Sequence, residues 1–155
     1  MQCVALFDSI LQTELPDDFT DMPPEDLQIM FPHEKRPQVI KGAPDGSYAT
    51  FSLLEKTLSK QQLFVATYSV LSLLHKFYPS CDRHNVHIIP LEDNSNCGWF
   101  PFFHQGKKNI LFIVAIAGKM VLGSCGCTED DDLRFDEIKT AFLSLKAAPA
   151  NEEAH

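Results

Sequence analysis

An α+β fold (α/β in the broad sense) around a mostly antiparallel sheet is predicted by three features of the sequence. From Asn85 to Cys127 the chain offers four apolar stretches parted by short turns, the pattern of an antiparallel meander. Ser59-Lys60-Gln61-Gln62 is a capping box, and apolar residues recur behind it at helical spacing. The stretch Trp99-Phe100-Pro101-Phe102-Phe103 is apolar on both strand parities, as a sheet covered by helices on both faces requires. At 155 residues the chain is the size of one domain, read as 1–147, followed by a flexible tail at 148–155.

The elements follow in order. Leu6 to Leu15 reads as one or two short strands stopped by Pro16. A turn-rich segment runs to Pro23-Pro24, after which Glu25 and Asp26 favour a short helix to Met30, because acids complement unpaired amides at a helix start. Gln38 to Lys41 and Ser47 to Leu54 form a hairpin about Pro44-Asp45-Gly46, where proline presets φ and glycine tolerates positive φ. The helix opened by Ser59 carries Leu63, Ala66 or Thr67, Val70, Leu71, Leu74, Phe77 and Tyr78 on one broad buried face, and Pro79 ends it. Strands are expected at Asn85–Leu91, Cys97–Phe103, Lys108–Ala117 (central in the sheet) and Met120–Cys127, with a tight turn at Gly118-Lys119. Acids at 129–132 open a last helix whose buried stripe is Phe135, Ile138, Phe142 and Leu145.

Composition narrows function. Thirteen basic against twenty-one acidic residues leave a net charge of −8, so a nucleic-acid partner, held by clustered cations, is not expected. No run of about 18 apolar residues is present, so membrane insertion by a helix is not expected. The first eight residues lack a basic leader and a long apolar core, which makes the cytoplasm the expected compartment. Five cysteines cannot all pair with one another, and free thiols packed as small apolar groups are expected there.

Several segments together resemble the Mog/PsbP-like superfamily, especially its bacterial small-protein branch. They are Leu15-Pro16-Asp17-Asp18-Phe19, Met30-Phe31-Pro32 with Lys35-Arg36-Pro37, and Tyr48-Ala49-Thr50-Phe51-Ser52. Further along come Tyr78-Pro79, Trp99 before its aromatic strand, and Gly118-Lys119-Met120-Val121-Leu122-Gly123. The resemblance spans Leu6 to Leu145. It implies an α/β/α sandwich, a mostly antiparallel sheet flanked by helices. It also implies a binding role: familiar members are a Ran-binding nuclear-import factor, a photosystem II subunit, and chaperones shielding apolar segments of secreted toxins. Fold alone does not carry function across, and no ligand residue transfers.

Four groups of residues could carry chemistry. Cys125 and Cys127, in Gly123-Ser124-Cys125-Gly126-Cys127, invite a thiol reading, for which a histidine would have to lie within hydrogen-bond reach or a helix start at Thr128 would have to lower the Cys127 pKa. The bland reading has both thiols packed in a strand and the glycines making room for a neighbouring helix. Cys81, His84, His87, Cys97 and His104 are the candidate metal ligands, of which His84 and His87 would face opposite sides of an extended chain. The acidic clusters lack the alternation and turn glycine of a Ca²⁺ loop and read as helix-start electrostatics. Trp99, Phe100, Phe102 and Phe103 are the candidate partner-binding residues. Pro101 has no N–H to donate, so it suits a sheet edge, and a Pro-broken edge could present an apolar groove.

The expectation is therefore a non-catalytic, cytoplasmic protein-binding module without a cofactor, an adaptor or chaperone shielding an apolar segment of a protein partner. A homodimer is left open. The alternative is a thiol- or metal-binding protein centred on Cys125/Cys127 or on Cys81/His84/Cys97/His104.

Overall fold

The computed structural model describes residues 1–31, 36–54, 56, 58–82, 85–91, 95–116 and 118–148. Strands β1 (Gln2–Leu6) and β2 (Leu11–Leu15) make a hairpin whose turn, Phe7-Asp8-Ser9, holds three non-glycine residues at positive φ. After β3 (Thr20–Asp21) come α1 (Pro24–Met30), β4 (Val39–Gly42), β5 (Tyr48–Leu54) and α2 (Lys60–His75). Then follow β6 (His87–Pro90), β7 (Asn96–His104), β8 (Lys107–Ile116), β9 (Lys119–Thr128), α3 (Asp132–Ile138), α4 (Thr140–Leu143) and β10 (Lys146–Ala147). The large sheet has the order β3-β4-β5-β9-β8-β7-β6 and the small one β1-β2-β10, with every pairing antiparallel. The fold is α+β, as the sequence predicts. Ala147 pairs with Leu11, and the Ala148 amide donates to the Ile10 carbonyl at 3.0 Å, so the chain is bonded through Ala148. The rest of the segment expected as a tail lies outside the described residues.

Strand alternation sorts the core into two layers. On one face of the large sheet, Phe51, Cys97, Ile110, Phe112, Val114, Val121 and Cys125 pack under α3, α4 and the β1-β2 hairpin. On the other face, Phe100 and Phe102 pack with Leu71 of α2, and Ile113 and Met120 pack with Leu63. The capping box is formed, with Ser59 accepting from the Gln62 amide at 3.2 Å and Gln62 accepting from the Ser59 amide at 2.9 Å. Thr67 is buried over Gly98, where a Cβ would lie 2.2 Å from the Thr67 hydroxyl oxygen; the glycine lets the helix settle onto β7.

The central strand β9 works by leaving side chains out. Gly123 pairs with Phe51 on one side and Phe112 on the other, and those rings meet across it with centroids 5.9 Å apart. A Cβ there would lie 2.2 Å from the Thr50 carbonyl oxygen and 2.4 Å from the Phe112 ring. Phe142 of α4 stacks on Phe112 at 5.2 Å, and Trp99 continues the row at 5.8 Å from Phe142. Gly126 repeats the device on the opposite face: Tyr48 reaches across it and donates to Asn109 Oδ1 at 2.6 Å. The glycines thus make room for side chains of adjacent strands and not, as expected, for a helix.

The edge beyond β6 is closed. β6 pairs with β7 only from Asn96 to Trp99. Successive residues of an antiparallel strand address opposite neighbours, so the outward groups past Trp99 belong to Pro101 and Phe103. Pro101 has no N–H, and Phe103 donates its amide to Ser80 Oγ at 2.9 Å while its carbonyl accepts from the same hydroxyl at 3.3 Å. Pro101 therefore stands on an edge, as its chemistry predicts.

The last helix is two short ones, parted at Lys139. There the Thr140 hydroxyl donates to the Glu137 carbonyl at 2.7 Å, a local bond of the kind that competes with a continuing helix. The stripe survives: Phe135, Ile138, Phe142 and Leu145 are all buried. Asp131 caps α3 by accepting from the Arg134 amide at 3.0 Å. Arg134 itself is buried, donating to Asp18 at 2.7 Å and Ser47 Oγ at 3.0 Å, with Asp45 at 3.1 Å and Glu137 at 3.5 Å. Its guanidinium lies 4.9 Å above the Phe19 ring, so one side chain joins α3 to the loops after β2 and β4.

Three outcomes follow. Gly123→Ala should lose about 2–4 kcal/mol in chemical denaturation, because the neighbouring atom is backbone and cannot yield. Gly106→Asn, at φ 73° with nothing within 4 Å, should stay within about 1 kcal/mol. Arg134→Ala should lose about 2–4 kcal/mol by the same measurement, the three carboxylates being partly exposed and able to rehydrate.

Acid sensitivity follows from Asp45. Burial alone would raise its pKa, but hydrogen bonds from Ser47 and the charge of Arg134 outweigh that and hold it below the ordinary 3.8. A carboxyl depressed in the folded state stabilises above its unfolded value, and that stability is lost as pH falls through the lower folded value. Asp45→Asn should therefore flatten the fall of stability with pH below about 4.

Candidate functional site

The four aromatic candidates divide between the faces. Phe100 is fully buried and Phe102 nearly so, both beneath α2, where Phe102 lies 5.2 Å from Tyr78. They build core and offer no surface, because α2 and Tyr78 cover the side of the strand on which an apolar groove at a Pro-broken edge was expected to show. Trp99 is half-buried on the opposite face, stacked on His87 at 4.4 Å with the Lys139 ammonium 5.7 Å above its ring. Phe103 alone of the four is well exposed, at 44%.

The thiol reading meets buried sulfurs. Cys125 is buried, and burial, with the neighbouring thiols Cys127 and Cys97, pushes its pKa far above the ordinary value. The Cys127 thiol is pushed up to about 11 by burial and then by Asp131. The expected lowering at a helix start fails because α3 begins only at Asp132, and Cys127 Sγ lies 3.7 Å from the Asp131 carbonyl, which it can only donate to. At neutral pH Cys127 is therefore held as the thiol.

The metal reading meets the sheet itself. Cys81 packs beneath α2 and Cys97 in the core of the opposite face. His104 rests against Tyr78 with ring centroids 4.6 Å apart, and His87 is stacked on Trp99 across the sheet. His84 lies outside the described residues. Among the described residues, no three His, Cys, Asp or Glu side chains are grouped to hold a metal ion.

What sequence reasoning missed is the outer face of α2. Leu63, Thr67 and Leu71 are its buried residues, while Phe64 is 49%, Val65 63% and Leu73 57% exposed. Phe77, expected on the buried face, is 71% exposed because the helix ends at His75 and the following turn carries it outward. Val65, Ser69, Leu73 and Phe77 recur every fourth residue, and Phe64 stacks on Tyr68 at 6.2 Å in the adjoining row. From Gln61 to Leu74, fourteen residues, there is no charged side chain. A surface helix ordinarily turns charge to water. That run was the available signal, hidden because the same letters fit a helix burying one broad face.

No family model matches the sequence, and no curated protein matches it. Two solved structures are similar in fold. Cyanobacterial PsbP (CyanoP) from Synechocystis sp. PCC 6803 superposes with a TM-score of 0.63 at 12% identity, over 94% of this chain and 91% of that one. A protein from Bacteroides thetaiotaomicron VPI-5482 superposes at 0.57 and 11% identity, over 92% of this chain but only 47% of that protein.

Alkylation at pH 7 should label one thiol quickly in the folded protein, the exposed Cys3, and the other four only on denaturation. Fast labelling of Cys125 or Cys127 would restore the thiol reading.

Proposed function

We propose that the protein is a non-catalytic binding module of the reducing cytoplasm that holds an apolar segment of a protein partner on the outer face of α2. The observation that carries this reading is the fourteen-residue uncharged run with Phe64, Val65 and Leu73 exposed on it. Contiguous apolar surface rimmed by polar residues marks an interaction site, and burying it against a partner releases water at about 25 cal/mol per Å². The ends of the face name the partner's chemistry. Lys56, Lys60 and Lys76 are exposed around it, and α2 holds no carboxylate, although the chain carries −8 overall. The segment best suited is therefore apolar at its centre and acidic at its ends.

Support for the cytoplasm is the state of the cysteines, all five unpaired and four of them buried. In the described residues no helix is long and apolar enough to cross a membrane. The fold is shared with CyanoP, and accessory binding is the role that the resemblance implies.

Val65→Asp and Leu73→Asp test the reading, since both positions are exposed and should leave stability within about 1 kcal/mol. Affinity capture from the source cell, compared with the wild type, should lose its partner at least about tenfold in both variants. Folded variants that keep every partner would overturn the α2 reading, and loss on Phe103→Asp alone would move the site to the β7 edge. Sedimentation showing a wild-type dimer that Leu73→Asp splits would replace the foreign partner with a second copy.

A further inference from the structure

A cleft of about 270 Å³ opens between the end of α1 and the turn after α2, on the α2 side of the sheet and apart from that helix's outer face. Its floor is the Tyr48–Asn109 hydrogen bond, laid across Gly126, where a Cβ would lie 2.4 Å from Asn109 Oδ1 and 2.6 Å from the Tyr48 ring. Burial pushes the Tyr48 phenol well above its ordinary pKa, so this floor keeps its proton.

Aromatic rings form both walls. On the α1 side Phe31 stands edge-on to Tyr48, with centroids 6.2 Å apart. Opposite it Tyr78 lies against Phe102 and His104. Rings on both sides of a cleft of this size suit a planar apolar body of one or two rings.

Charge selects the rest of the ligand. Lys107 lines the cleft, its ammonium 5.5 Å above the Tyr48 ring and 2.9 Å from the Gly46 carbonyl. An ammonium has three donors and that bond uses one. Among the described residues no carboxylate lines the cleft, and the nearby Asp45 is held by Arg134 at 3.1 Å. A cationic ligand would meet its own sign over the ring face where cation–π binding would otherwise place it.

We propose that this cleft is a binding site for a small aromatic carboxylate, its ring between Phe31 and Tyr78 and its carboxylate on Lys107. The site stands independently of the partner-binding face, and its failure would leave that reading untouched.

Titration of the whole chain with benzoate, followed by ¹H–¹⁵N NMR, tests it. Saturable shifts should gather at the Asn109 side-chain amide and at the amides of Phe31, Tyr78 and Phe102. Benzamide, with the same ring and no charge, should bind about tenfold more weakly. Lys107→Gln should abolish the preference for benzoate, and Lys107→Arg should keep it, which separates lost charge from lost packing. Should Lys107→Gln fail to fold, Tyr78→Ala should still weaken both probes together. The site is overturned by equal affinity for the two probes, by a preference that survives Lys107→Gln, or by shifts scattered away from the cleft.

Discussion

The fold depends on two side chains that β9 does not have. A seven-stranded sheet ordinarily separates the side chains of strands two places apart, because the strand between them fills the space with its own. At Gly123 that space goes to Phe51 and Phe112, on which Phe142 stacks, seating α4. At Gly126, on the opposite face, it goes to the Tyr48–Asn109 bond. The glycines lie three apart, so strand parity aims the two gaps at opposite faces. One therefore serves the core and the other an open cleft floor.

Local chemistry made most of the elements readable. Pro24 with its acids set α1, Pro44-Asp45-Gly46 set the β4-β5 turn, and the Ser59 box set the start of α2, each through effects that act within a few residues. The two-sided apolar character of Trp99 to Phe103 correctly implied cover on both faces. What stayed hidden depends on distant partners. Periodicity shows that a helix has apolar residues but not which of them meet a sheet, so Phe77 and the row of Val65 and Leu73 could not be placed on the outside. Phe100 and Phe102 look like a candidate surface until Leu71 and Tyr78 are seen above them. The Tyr48–Asn109 floor joins residues 61 apart, with no local mark beyond the glycine between them.

Arg134 shows how an acidic chain stays compact on that side. Asp18 and Asp45, from separate loops, would repel each other at the base of the hairpins, and one buried guanidinium with five donors in a fixed plane satisfies both together with Ser47. Burial of the cation is tolerated because its partners stand at 2.7–3.1 Å around it. The same clamp fixes Asp45 on Arg134 while its charge still reaches Lys107, so the electrostatics of α3 extend to the aromatic cleft.

The edge of β7 past Trp99 also bears on colloidal behaviour. With Pro101 lacking a donor and Ser80 occupying both polar groups of Phe103, the rim offers a passing chain almost no template for cross-β growth. Along this stretch of β7 a neighbouring molecule therefore meets side chains and almost no backbone ladder to extend.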